Sequence, residues 1–190
     1  MSYVTKHFDS RVVKMLQSGE VGFMPSDTIY GLSGVVLNEA AVNKIHSLKG
    51  RSGVKPFIIL ISDLNMLNML SIDEGAVTPV KNYWPGAITF VCAAPNSPPW
   101  LHLGTKTLAI RFPSHLQLQR LIKQVGPIVS TSANIEGRRP AESAAEAESI
   151  FGDKLDFYVD AGKLANKVST ITKVENGKLE VIRQGAVKIK

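Results

Sequence analysis

The chain has almost no cysteine. Cys92 stands alone in 190 residues, so no intrachain disulfide can form, and a reducing, cytoplasmic setting is the expectation. Cys92 lies in the apolar run Ile88-Thr89-Phe90-Val91-Cys92 and reads as a core thiol. Long hydrophobic stretches are also missing. Runs such as Phe57 to Ile61 are far too short to span a bilayer, and no basic start followed by an apolar stretch marks a secretory leader. His7, His46, His102 and His115 are scattered without metal-ligand spacing, which argues against a protein zinc site. There is no Gly-x-x-x-x-Gly-Lys-Ser/Thr phosphate loop, no Gly-x-Gly-x-x-Gly and no Gly-x-Ser-x-Gly nucleophile elbow. The familiar nucleotide folds and covalent serine chemistry therefore have no sequence support.

What is present is an ordinary globular composition with a basic balance. Hydrophobic residues make up 44% and charged residues 20%, and the net charge of +6 favours an anionic partner. The length suits one sizeable core, so residues 1–190 are expected to form a single domain.

Local signals alternate between strand and helix. Asp9 caps a first predicted helix carrying Val12, Val13 and Leu16 and stopping near Gly19. Val21 to Met24 and Gly31 to Leu37 read as strands, and Asn38 opens a helix ending at Gly50. Phe57 to Ile61 is a strand, and Asp63 and Asp73 begin helices, the second broken by Pro85-Gly86. Ala87 to Ala94 and Thr107 to Phe112 are strands around a proline-rich loop, Pro95 to Lys106. Ser114 caps a helix to Gly126, Ile128 to Ser130 is a short strand, and Ser143 with Glu146 forms a capping box for a helix to Phe151. Ala141 to Glu148 reads as a solvated helix face. Phe157 to Asp160, Ser169 to Val174 and Leu179 to Arg183 are strands, the last two joined by the hairpin turn Asn176-Gly177. The pattern predicts an α/β fold, one domain with an open, twisted, mixed β-sheet flanked by helices.

Three polar islands adjoin the apolar runs, where loops carry chemistry. Pro25 to Leu32 offers Thr28 and backbone amides to a polar ligand, with Tyr30 as a wall. Lys49-Gly50-Arg51, with Lys55 close behind, collects cations suited to phosphate on an exposed loop. Ser130-Thr131-Ser132-Ala133-Asn134 follows a strand and can wrap phosphate oxygens. Each also has a plain reading, as a turn, a cationic helix end or a capped corner. Arg111 ends a strand before Pro113, and Arg183 precedes Gly185; either could meet a carboxylate or phosphate, or be an exposed strand-end charge. Trp84-Pro85-Gly86 shapes a helix-to-strand corner.

Taken in order, these pieces resemble the YrdC-like family, the threonylcarbamoyl-AMP synthases. The match runs from about Asp9 to Ala186. It rests on Pro25 to Leu32, Lys49-Gly50-Arg51 with Lys55-Pro56-Phe57, Trp84 to Thr89, and Ala109 to Pro113. It continues through Gly126-Pro127, Ser130 to Asn134, Gly137, Ser169-Thr170-Ile171 and Arg183 to Ala186. The resemblance implies a basic concave face on the sheet and a short, single-domain form. It implies a nucleotidyltransferase that joins L-threonine, bicarbonate and ATP into threonylcarbamoyl-AMP and pyrophosphate, with Mg²⁺ accompanying the ATP. The product would pass to a tRNA threonylcarbamoyl transferase complex for modification next to the anticodon, and direct contact with tRNA or other RNA stays open. By matched position, Thr28, Arg111 and Ser169 face threonine, while Lys49, Arg51, Lys55, Thr107, Ser130, Ser132, Asn134 and Arg183 face ATP. Lys49 and Arg51 would be the catalytic charge stabilisers. One departure is Ile135-Glu136-Gly137, where many relatives carry Ser-Gly after the asparagine; Glu136 sets a carboxylate near a phosphate-binding turn. Two other readings compete: a non-enzymatic RNA-binding module, which lacks an aromatic-interleaved basic stretch, and a carbamoyl- or acyl-transfer subunit of a larger enzyme.

Overall fold

The computed structural model describes residues 2–50 and 55–189. Five helices and ten strands form along the described chain. The strands are β1 (Tyr3–Thr5), β2 (Gly22–Met24), β3 (Gly31–Val35), β4 (Ile58–Leu60), β5 (Ile88–Ala93), β6 (Thr107–Arg111), β7 (Ile128–Ser132), β8 (Phe157–Val159), β9 (Thr170–Glu175) and β10 (Lys178–Arg183). The helices are α1 (Ser10–Gln17), α2 (Glu39–Lys49), α3 (Pro99–His102), α4 (Leu116–Val125) and α5 (Ala144–Phe151). All ten strands join one sheet in the order β1-β8-β2-β3-β7-β4-β6-β5-β9-β10, with parallel and antiparallel pairs mixed. The predicted α/β class and mixed open sheet are what the chain adopts.

Local chemistry sets the element ends. The Asp9 carboxylate accepts from the N–H groups of Arg11 and Val12, opening α1. Asn38 caps α2 in the same way, and Gly50 closes it at φ +57, a left-handed turn that glycine adopts without Cβ strain. Asn176 and Gly177 both hold positive φ between β9 and β10, as a two-residue hairpin turn requires.

Several expectations are corrected. The segments Leu64–Leu70 and Glu74–Tyr83 are 3₁₀ rather than α-helical, and Pro79 inside the second removes a backbone donor. The proline-rich loop contains the short helix α3. Helix α4 is capped by His115, whose Nδ1 accepts from the Leu118 N–H, because Ser114 turns its own N–H and hydroxyl to Asp27. In α5 the Ser143 hydroxyl accepts from Glu146 N–H, but the Glu146 carboxylate reaches back to Glu142 N–H, not to Ser143. That helix is not simply a solvated face: Ala144, Ala147 and Phe151 are buried. Strand β1 carried no sequence signal. Strand β7 runs two residues beyond its predicted end, because Gly31 to Val35 pairs with it through Ser132.

Alternation along the strands assigns the two faces. One face packs Leu32, Ile59, Phe90, Ile110 and Val129 against α2 (Ala41, Val42, Ile45) and the 3₁₀ segments (Leu67, Leu70, Val77, Val80). On the other face α1 and α4 bring Val12, Leu16, Leu118, Leu121 and Ile122 onto Leu60, Ile128 and Phe157. These helices cover only part of that face. Ser130 lies on the same face as Ile128, two residues further along β7, beyond the helices.

Cys92 sits in the first core, and burial pushes its thiol up to about 11. At pH 8 only about a thousandth of it is thiolate. Iodoacetamide is therefore expected to leave folded protein unlabelled and to label it fully in denaturant. Rapid labelling of the folded protein would contradict this packing.

Candidate active site

The uncovered part of the second face forms a cleft of about 490 Å³. Its floor is a row set by strand register: Ser130 on β7 faces Ile58 on β4, Ile58 faces Ala109 on β6, and Ala109 faces Val91 on β5. Small side chains at Ser130 and Ala109 leave the floor deep. Gly31 adds to this, since a Cβ there would lie 2.6 Å from the Ser130 hydroxyl. Ile171 and Arg183, opposite one another on β9 and β10, continue the wall. A register shift between Val181 and Arg183 in β10 marks a bulge, the kind of irregularity that re-aims a side chain.

Of the residues expected at the site, Thr28, Arg111 and Ser169 all line this cleft. So do Lys55, Thr107, Ser130, Ser132 and Arg183. Residues from three loops and three strands far apart in sequence thus meet in one place. Arg51 lies outside the described residues.

Lys49 and Asn134 do not line the cleft. Lys49, expected on an exposed loop end, is 3% exposed. Its ammonium donates to the Ser132 carbonyl at 2.6 Å, and to the Asn134 carbonyl and Asn134 Oδ1, both at 2.9 Å. The Asn134 amide is engaged internally too: Oδ1 accepts from the Ser132 hydroxyl at 2.6 Å, and Nδ2 donates to the carbonyls of Ile135 and Arg138. Together they shape the turn that presents Ser132. Glu136 also stays off the cleft lining, and its N–H donates to the Lys49 carbonyl. Tyr30 contributes to the lining, but its ring stacks on Phe23 at 4.2 Å in the core and its hydroxyl donates to Gly162 O. It is a core residue first.

Arg111 is the buried charge at the centre. Only 3% of it is exposed; Nη1 donates to the Thr28 hydroxyl at 3.1 Å, and Nη2 lies 3.1 Å from Asp27 Oδ1. Burial is the main influence lowering its pKa, Asp27 opposes it, and Arg183 pushes the same way as burial. An arginine stays charged regardless, so the proximity of a second guanidinium makes the cleft electropositive. Arg183 has no carboxylate within ion-pair distance among the described residues; its Nη2 donates to the Ser169 carbonyl at 2.9 Å, and burial lowers its pKa. Gly185 makes this close approach feasible, since a Cβ there would overlap the Val168 carbonyl oxygen.

Proton bookkeeping fixes the hydroxyls. The Ser26 hydroxyl donates to Ile29 O at 2.7 Å, so in its 3.0 Å contact with Thr28 the Thr28 hydroxyl is the donor. Thr28 then has no proton left for a ligand, and it accepts from Arg111. Ser169 shares a 2.8 Å contact with the Thr89 hydroxyl, in which either can donate. The site residue that the sequence did not flag is Asp27; between a serine and a threonine it reads as a turn former, and its tie to Arg111 spans 84 positions that no local pattern connects.

Among the described residues the α/β fold gathers Lys55, Arg111, Arg183 and several hydroxyls in one cleft, an arrangement suited to anionic substrates. The family model described as Telomere recombination, for Sua5, YciO and YrdC, matches residues 14–185, and the chain belongs to that family. The threonylcarbamoyl-AMP synthase of Pseudoalteromonas translucida is 37% identical over 176 residues, covering 88% of this chain and 93% of that protein. E. coli YciO superposes with a TM-score of 0.86 at 25% identity, covering 100% of this chain and 98% of the other. P. abyssi Sua5 complexed with L-threonine superposes with a TM-score of 0.85 at 28% identity, covering 97% of this chain and 57% of that one. No helix among the described residues is long and apolar enough to cross a membrane.

Proposed function

We propose that this chain is a threonylcarbamoyl-AMP synthase that uses L-threonine, bicarbonate and ATP. The observation that carries the reading is the convergence of Arg111, Arg183, Ser169 and the Ser130–Ser132 strand end on one cleft in a chain of this family. In this reading threonine's amine and bicarbonate combine to a carbamate with loss of water. A carbamate oxygen then attacks the α-phosphorus of ATP; the new P–O bond forms as the bond to pyrophosphate breaks, and the electron pair leaves with pyrophosphate. No protein nucleophile is needed.

The chain's part is binding and charge compensation. Arg111 presents a forked, desolvated cation to the threonine carboxylate. Thr28 holds that guanidinium from behind, and Ser169 is the hydroxyl left to read the threonine side chain. Lys55, Arg183, Thr107, Ser130 and Ser132 take the nucleotide side, with Arg183 the cation placed to offset charge developing on the phosphates. Lys49 and Asn134 set the Ser132 turn; Arg51 keeps its proposed phosphate role from sequence. Among the described residues no group of three or more His, Cys, Asp and Glu is placed to hold a metal. Mg²⁺ would enter on the ATP phosphates as part of the substrate, and no step is assigned to it. The product would be consumed by a tRNA threonylcarbamoyl transferase.

The test is pyrophosphate release by purified protein. Release is expected only when threonine and bicarbonate are both supplied with Mg-ATP. Equal release without threonine, or formation of ADP and phosphate, would sink the reading.

A further inference from the structure

We infer that Asp27 is a positioning residue for substrate carboxylate binding, acting through Arg111. It rests on the reading of the cleft given above. The side chains of Asp27 and Arg111 are both 4% exposed, and Nη2 stands 3.1 Å from Oδ1. The pair is close yet incompletely bonded: neither Asp27 Oδ1 nor Arg111 Nε has a hydrogen-bond partner among the described residues. The second carboxylate oxygen accepts from the Ser114 N–H at 3.1 Å and the Ser114 hydroxyl at 3.4 Å. Asp27 therefore grips the end of β6 and the turn that follows at two points, Arg111 and, three residues beyond it, Ser114.

This arrangement has a cost that stability alone does not explain. Buried ion pairs are weak sources of stability, and one with unsatisfied atoms is weaker still. What the pair supplies is orientation. With Thr28 on Nη1 and Asp27 on Nη2, the guanidinium plane is held at two points, and its remaining protons can face an incoming carboxylate. Preorganised donors bind without first having to be ordered. Asp27 also keeps a cation tolerable in a desolvated cleft beside Arg183, which otherwise opposes it.

The experiment is calorimetric titration with L-threonine and, separately, with ATP. Asp27→Asn is expected to weaken threonine binding about tenfold or more and ATP binding less than about threefold. In an Arg111→Lys background, Asp27→Asn should add less than about threefold to the threonine loss, because the two residues act as one unit. A merely structural role would weaken both ligands together and add in full. Asp27→Glu keeps the charge but displaces it by a methylene, and it serves if Asp27→Asn does not fold; threonine affinity should fall at least about fivefold with ATP binding retained. Threonine affinity equal to wild type in either soluble variant, or equal losses for both ligands, overturns the inference. If the wild-type chain takes up no threonine, the substrate reading itself fails and this inference with it; intact wild-type binding with indifferent Asp27 variants overturns this inference alone.

Discussion

Arg111→Ala is expected to raise the apparent threonine constant by about 10²-fold while the ATP constant moves by less than about threefold. The size follows from the loss of a charge-assisted fork in a desolvated site, worth about 1.5–3 kcal/mol. The alanine variant also strands Asp27 as a buried charge, so part of its defect will be instability. Arg111→Lys separates the two: it leaves a cation for Asp27 but lacks the planar fork, and should keep the fold while losing threonine affinity. Steady-state kinetics with each substrate varied in turn decide the matter. A defect confined to ATP would move Arg111 to the nucleotide side. Valine should hardly replace threonine at all, since a site that pairs a hydroxyl rejects analogues lacking it, and serine, which keeps the hydroxyl but loses the methyl, should be about 10- to 200-fold poorer.

The second large effect concerns Lys49. Its ammonium satisfies three buried or half-buried oxygens of Ser132 and Asn134, so Lys49→Ala should damage fold and turnover together. Loss of this charged cluster should cost about 3 kcal/mol, which for a chain of this size lowers Tm by roughly 10 °C. Turnover should fall about 10²-fold because the Ser132 turn loses its support. Thermal denaturation alongside single-turnover kinetics checks both. Lost turnover with an unchanged Tm would instead make Lys49 a direct charge stabiliser at an accessible site, as its sequence context alone suggests.

The difference between those two readings of Lys49 shows what a sequence can carry. Its place at a helix C-terminus was legible, because Asn38 and Gly50 bracket α2 with recognisable caps. Its burial was not, because the covering turn comes from residues 132–136, and nothing in the local pattern brings them there. The same holds for the cleft. Each strand from β2 to β10 is readable as an apolar or alternating run; the three-residue β1 is not. Yet the row Ser130, Ile58, Ala109 and Val91 exists only through a strand order that skips along the chain. Ser114 was read as a cap because serine suits that role, but a long-range carboxylate took its donors and left the cap to His115. Asp27 is invisible for the converse reason: it lies in the loop between β2 and β3, its partner is at the end of β6, and an aspartate in a turn has a sufficient local explanation. Resemblance over nearly the whole chain supplied the grouping of the islands that local physics could not.

The central claim is that this cleft joins threonine, bicarbonate and ATP into one molecule. The direct measurement is mass spectrometry of the product formed from Mg-ATP, L-threonine and carbon-13 bicarbonate. The expected result is threonylcarbamoyl-AMP with the label in its carbamoyl carbon, together with pyrophosphate. An AMP conjugate of threonine without the label, or no AMP-linked product while ATP is cleaved, would contradict it.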